Sequence, residues 1–117
     1  ELVAVSNVAI KNDLYLLSDE VYEFLVFDGA KHLPTATLEG MMDRTITVSS
    51  AGKTFGLTGW KIGWICANQK VTNACRLVHQ YVTFSCRILN AYCATGYLPR
   101  PPSLLARNRN FGTNLAW

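Results

Sequence analysis

The sequence predicts an α/β domain, or part of one, in which helices flank a mainly parallel sheet. Three observations predict it. Leu14-Tyr15-Leu16-Leu17 is a short apolar run bounded by Asp13 and by Ser18-Asp19-Glu20, the pattern of a strand buried on both faces of a helix-covered parallel sheet. Arg44-Thr45-Ile46-Thr47-Val48-Ser49 is β-branched and alternating, which marks a second strand. Val71, Ala74, Cys75, Val78 and Val82 recur at i, i+3, i+4, i+7 and i+11, the spacing of a long helix with one apolar face.

The remaining elements follow in chain order. Leu2, Val5 and Ala9 recur at helical spacing and Asn12-Asp13 is a stop signal, so residues 1 to 12 are expected to end an amphipathic helix. Polar residues arrive abruptly after Leu17, at the strand end where open α/β sheets place ligands. Gly29, Pro34 and Gly40 make residues 27 to 43 mainly loop, with a helical turn expected around Thr37 to Met42. Ser50-Ala51-Gly52-Lys53 is a tight turn of small residues, and Gly56, Gly59 and Gly63 punctuate the stretch that leads into a third strand, Lys61 to Cys66. A second helical stretch is expected from about Ser85 to Ala94. Beyond Gly96, three of the four prolines fall in Leu98-Pro99-Arg100-Pro101-Pro102, and no periodicity survives to Trp117, so this tail reads as poorly ordered.

Composition narrows the class. At 50% hydrophobic and 16% charged the chain is too apolar for a disordered segment, and 117 residues build one core at most. Every apolar run is broken by Lys, Arg, Asn or Gln before it reaches the roughly 20 residues of a membrane span. The chain opens at Glu1 with no basic-then-apolar leader, so nothing reads as a signal peptide, and a soluble protein is expected. Cys66, Cys75, Cys86 and Cys93 form no C-x-x-C pair, and His32 and His79 lie far apart, so reduced structural thiols are expected and no metal site. All eight acids lie within residues 1 to 43 beside two lysines, formally −6, and nine basic residues lie beyond, formally +9. The basic residues are scattered singly, which argues against a nucleic-acid-binding face.

The most informative window is Ser49-Ser50-Ala51-Gly52-Lys53-Thr54, where small residues after a strand bring backbone N–H groups and hydroxyls close to a lysine. A nucleotide-binding P-loop needs glycine six residues before its lysine, and position 47 is Thr. Read onward, Ser50-Ala51-Gly52-Lys53-Thr54-Phe55-Gly56-Leu57-Thr58-Gly59-Trp60-Lys61-Ile62-Gly63 closely resembles the cofactor-attachment segment of class I and II aminotransferases. Upstream, Ser18-Asp19-Glu20-Val21-Tyr22-Glu23 resembles the segment of that family that grips the pyridine ring. With Gly59 to Trp64 and Val78-His79-Gln80, the similarity is greatest to the kynurenine aminotransferase and cysteine-conjugate β-lyase branch, over roughly residues 1 to 94.

The resemblance implies part of the large domain of a fold-type I enzyme dependent on pyridoxal 5′-phosphate, over residues 1 to 95, with residues 96 to 117 a tail unlike the family. It implies that Lys53 forms the Schiff base and shuttles a proton, that Asp19 faces the pyridine nitrogen, and that Tyr22 meets the phenolic oxygen. It implies too that Ser50 and Lys61 take the phosphate, with lysine where many relatives have arginine, so a point charge would replace a bidentate fork. Chemistry agrees: an amine can condense with an aldehyde, and a carboxylate keeps a ring nitrogen protonated. Taken singly, an Asp at a strand end is usually a cap and a Tyr usually packing; jointly, in family order, they point to a cofactor site. Trp60 and Trp64 are expected to pack in a core or interface. The resemblance further implies amino acid and 2-oxo acid substrates, a homodimer and the cytoplasm, with the mitochondrion as the alternative. Family members are several-fold longer, so this chain by itself is expected to leave sheet edges uncovered and to lack activity. A non-catalytic cofactor-binding or regulatory role is the alternative function, with a basic nucleic-acid-binding module as a less favoured third.

Overall fold

The computed structural model describes residues 1–83 and 115–116. Helix α1, Leu2–Lys11, stops where the sequence says it should. Asp13 takes a left-handed conformation (φ 50°), and the amides of Asp13 and Leu14 donate to the carbonyls of Ile10 (3.2 Å) and Ala9 (2.8 Å). This paired closure satisfies the orphan carbonyls of the last turn. The buried face is Ser6 and Ala9, while Leu2 and Val5 of the expected stripe are exposed. The Ser6 hydroxyl is satisfied by donating to the Leu2 carbonyl at 2.9 Å.

Strand β1 is Leu16–Asp19, two residues later than the apolar run suggests. The helix closure consumes the Leu14 amide, and ladder bonding begins with Leu16 N donating to Arg44 O at 2.8 Å. The strand is covered on one face only among the described residues, with Leu17 68% exposed, which corrects the expectation of a strand buried on both sides. After a loop containing a 3₁₀ turn at Thr35–Thr37, strand β2, Thr45–Ser50, pairs with β1 in parallel, Leu16 opposite Thr45 and Asp19 opposite Val48. The helical turn expected at Thr37 to Met42 is therefore a 3₁₀ turn displaced toward Thr35, followed by turns that bury Met41.

The chain then folds straight back. Helix α2, Ala51–Thr54, and a 3₁₀ turn at Thr58–Trp60 lead into β3, Gly63–Cys66, which pairs with β2 antiparallel. The Ala51 amide donates to the Ile62 carbonyl at 3.0 Å and closes the connection on itself. A parallel return would need a crossover across the sheet, and this closed segment makes none. A fourth strand, β4, Leu115–Ala116, pairs antiparallel with β3. The sheet, in order β1-β2-β3-β4, is therefore mixed, with one parallel and two antiparallel pairings among the described residues, in place of the mainly parallel sheet expected. The helix expected at Ser85 to Ala94 and the rest of the tail lie outside the described residues.

Helix α3, Gln69–Val82, is capped by Asn68, whose Oδ1 accepts from the Val71 amide at 2.9 Å and whose amide group donates to the Asp43 carbonyl. Its buried residue is Thr72, flanked by half-buried Val71, Cys75 and His79, while Val78 and Val82 of the expected apolar face are exposed. Among the described residues the buried hydrophobic ones are Ala9, Met41, Ala51, Ile62 and Ala67. Ala51, the first residue of α2, and Ile62 form a cluster with Leu57 and Trp64 packed on them. Trp64 thus packs against the core as expected, whereas Trp60 is exposed. Among the described residues no helix is long and apolar enough to cross a membrane, and no three metal-ligating side chains gather.

Candidate functional site

Parallel pairing brings the carboxyl ends of β1 and β2 to the same edge, and the two sequence motifs leave the sheet there side by side. Asp19 ends β1; its Oδ1 accepts from the Val21 amide at 3.1 Å, an Asx turn that redirects the chain toward Tyr22. The Glu20 amide extends the ladder by one step, donating to Val48 O at 2.9 Å. One strand over, β2 ends at Ser50 and passes into α2, whose single turn carries Gly52 and Lys53. Thr58 steadies that turn by donating from its hydroxyl to the Gly52 carbonyl at 3.1 Å.

The Lys53 ammonium lies 5.6 Å from the centroid of the Tyr22 ring, within cation–π range. Ser50, Lys53 and Lys61 line one open recess of about 410 Å³, with Val48, Leu57 and Thr58 among its other walls. Lys61 is in the left-handed region (φ 52°, ψ 49°), which costs a residue with a Cβ roughly 1–2 kcal/mol. Strain of this kind tends to collect at functional sites. Of the five residues singled out from the sequence, Ser50, Lys53 and Lys61 thus line one recess and Tyr22 lies against Lys53. The fifth, Asp19, is exposed at the adjacent strand end, opposite Val48 in register, and does not itself line the recess.

Sequence reading overlooked the other face of the sheet. Side chains alternate along a strand, so Ser18 and Glu20 face away from Asp19. Glu20 is 5% exposed, and its carboxylate accepts from the Thr35 amide (3.0 Å), the Ser18 hydroxyl (3.0 Å) and His32 Nε2 (2.9 Å). Glu23 joins it, accepting from the Ser49 hydroxyl at 3.4 Å. Burial, and then the Glu20 charge, push the Glu23 carboxyl above its ordinary value against the opposing pull of His32 and Ser49. Burial, followed by the charges of Glu23 and Glu20, pushes the Cys66 thiol up to about 11. The available signal is the two-residue spacing of Ser18 and Glu20; His32 supplies the partner.

The arrangement defines a class: an α/β protein carrying a primary amine at the carboxyl end of a strand, flanked by a hydroxyl, a second cation and a phenol. Such a set can present a nucleophilic amine to a carbonyl carbon beside a bound anion. Comparison with known proteins gives the class its family. The family model described as aminotransferase class I and II matches residues 1–103. A probable N-succinyldiaminopimelate aminotransferase DapC of Mycobacterium tuberculosis is 49% identical over 84 residues, covering 72% of this chain and 21% of that protein. Kynurenine-oxoglutarate transaminase 1 of Rattus norvegicus is 46% identical over 86 residues, 74% of this chain and 20% of that protein. Among solved structures, an aromatic aminotransferase from Pyrococcus horikoshii superposes with a TM-score of 0.79 at 33% identity, over 90% of this chain and 28% of that one. The chain belongs to the class I and II aminotransferases and has the fold of part of a fold-type I member. It spans about a fifth of the length of the curated relatives it matches.

Proposed function

We propose that this chain carries the cofactor-attachment half-site of a pyridoxal-phosphate-dependent aminotransferase, which moves an amino group from an amino acid to a 2-oxo acid. The observation that carries the reading is the convergence of Ser50, Lys53 and Lys61 on one recess with the Tyr22 ring against the lysine. The donor set fits the group. Lys53 offers the amine for an aldehyde, Ser50 and Lys61 offer a hydroxyl and a cation for a phosphate, and Tyr22 offers a phenol beside the amine. Asp19, at the neighbouring strand end, offers the carboxylate for a ring nitrogen.

Bound pyridoxal phosphate supplies an electron sink that stabilises negative charge on the substrate carbon. The chain's own residues do the rest. Lys53 holds the attachment point and, once free, accepts and returns the proton at its Nζ. Tyr22, stacked on that ammonium, orients it. Lys61 and Ser50 anchor the anionic end, and the strained backbone at Lys61 fixes where its charge enters.

Kynurenine or glutamine as amino donor, with β-lyase chemistry on cysteine conjugates as a side activity, is supported by the kynurenine-oxoglutarate transaminases among the relatives. N-succinyldiaminopimelate aminotransferase, at similar identity, supports a different donor on the same half-site. In the full protein we place the site in a cytoplasmic homodimer. A second reading is cofactor binding or regulation without turnover. The test is to incubate the chain with pyridoxal phosphate, reduce with borohydride and map the modified lysine by peptide mass spectrometry. Selective modification of Lys53, lost in Asp19→Ala, is expected. Even modification of Lys11, Lys31, Lys53, Lys61 and Lys70 would refute a formed half-site.

A further inference from the structure

We infer that Glu20 is a positioning residue of the Lys53 site, a buried carboxylate clamp that holds the turn from which Asp19 and Tyr22 project. The inference rests on the reading just proposed and assigns a role to a residue which that reading leaves out. Glu20 stands between the two site residues in sequence, yet its side chain leaves by the opposite face of the sheet. There it is 5% exposed and receives three donors, with Oε1 taking the Thr35 amide and the Ser18 hydroxyl and Oε2 taking His32 Nε2. The Ser18 hydroxyl spends its only proton on the carboxylate, so Thr35 Oγ1 is the donor in the 3.1 Å contact with Ser18 Oγ. Both Glu20 oxygens, the Ser18 hydroxyl, the Thr35 amide and hydroxyl, and His32 Nε2 thereby each have a partner, and partnered groups of this kind make a buried polar network rigid.

The backbone of the same residue completes the clamp. Its amide is tied to Val48 O, and its carbonyl accepts from the Glu23 amide at 3.0 Å, closing the turn that presents Tyr22. The side chain therefore pins the loop segment His32 to Thr35 against β1, while the main chain fixes the exit of the strand. A forked acceptor of this length is needed, because one oxygen must reach Thr35 while the other reaches His32. Glutamine keeps one carbonyl oxygen for Thr35 and Ser18 and can donate its amide to the other tautomer of His32. Alanine keeps none of these bonds.

The experiment uses the whole 117-residue chain as parent, E20A, E20Q and H32A, with two readouts. Amide hydrogen exchange without cofactor follows Val21 and Glu23, which report the turn, and Ala51, which reports the core beneath the site. Borohydride trapping at limiting pyridoxal phosphate follows Lys53. In E20A and H32A the Val21 and Glu23 amides should exchange about tenfold faster, the loss expected for charge-assisted bonds, with Ala51 unchanged and Lys53 trapping reduced severalfold. E20Q should restore both readouts toward the parent, which a general packing defect would not explain. If E20A loses Ala51 protection as well, it has unfolded, and H32A, which removes one bond at a side chain 30% exposed, decides. Selective Lys53 trapping in the parent that is unchanged in H32A, with turn amides as protected as before, overturns the clamp and leaves the half-site standing. Even trapping across the lysines of the parent overturns the half-site and the clamp together.

Discussion

The thiol of Cys66 is the most sensitive reporter of the charged layer behind the sheet. It lies on β3 opposite Thr47, on the face that carries Glu20 and Glu23. Burial and those two carboxylates push it from 9.0 to about 11. At pH 8 a thiol titrating at 9 is about 10% thiolate, and one titrating at 11 about 0.1%, so alkylation in the folded chain should be about 100-fold slower than in urea. The same displacement is worth about 3 kcal/mol of differential stability. Because the folded state holds the neutral thiol, that stability is fully present below pH 9 and is lost as pH rises toward 11. Pulse alkylation with iodoacetamide, read at Cys66 by peptide mass spectrometry between pH 7 and 10, separates this cause from steric shielding. Electrostatic and desolvation control predicts a rate that still climbs tenfold per pH unit at pH 10. Shielding lowers the whole curve and leaves its bend near 9. A bend at or below 9 in the folded chain, with circular dichroism unchanged, would refute the reasoning. In Glu23→Gln the bend should move down part of the way, because the larger cause, burial, remains.

Two further outcomes are expected. The raised carboxyl of Glu23 favours the protonated folded state, so its contribution is complete below about 4.5 and is lost as pH rises through the raised value. Urea melts from pH 4 to 7 should therefore show a shallower decline in Glu23→Gln than in the parent; identical slopes would contradict the assignment. Asn68→Ala removes the cap of α3 and its tie to the Asp43 carbonyl and should cost about 1–2 kcal/mol by the same melts. A change below about 0.3 kcal/mol would show that α3 ends are held by something else.

Local chemistry was legible in the sequence where neighbours along the chain decide it. The stop of α1 at Asn12-Asp13 follows from one residue tolerant of the left-handed region, and Ser50, Lys53 and Lys61 meet because a short glycine-punctuated segment cannot carry them far apart. Tyr22 reached Lys53 because two adjacent parallel strands end together. What was not legible depended on closures between distant groups. The direction of β3 is set by Ala51 N meeting Ile62 O, and the start of β1 by Leu14 N having already been taken by Ala9 O. Neither bond has a compositional signature. The face that α3 buries could not be read either, since Thr72, buried by packing and donating to Ala67 O at 3.3 Å, outranks the more apolar Val78 and Val82. The pairing of Glu20 with His32 was not legible for the same reason: it requires the loop between them to fold.

The six-residue motif Ser18 to Glu23 therefore encodes two layers at once. Alternation sends Asp19 to the side of the lysine and Glu20 to the buried network, so neighbours of equal charge have different requirements. Exchanging them, Asp19→Glu with Glu20→Asp, leaves composition and net charge untouched and tests this directly. Aspartate at position 20 is one methylene too short to reach the Thr35 amide and His32 together, so the exchanged chain should lose at least one charge-assisted bond, about 1.5–3 kcal/mol. It should also trap less pyridoxal phosphate at Lys53, because glutamate at position 19 carries its carboxylate beyond the Asx turn now made with Val21. If the exchanged chain melts and traps like the parent, charge in this motif is enough and side-chain reach is irrelevant. If it fails on both counts while a charge-preserving change elsewhere on β1 does not, geometry on each face is what the motif specifies.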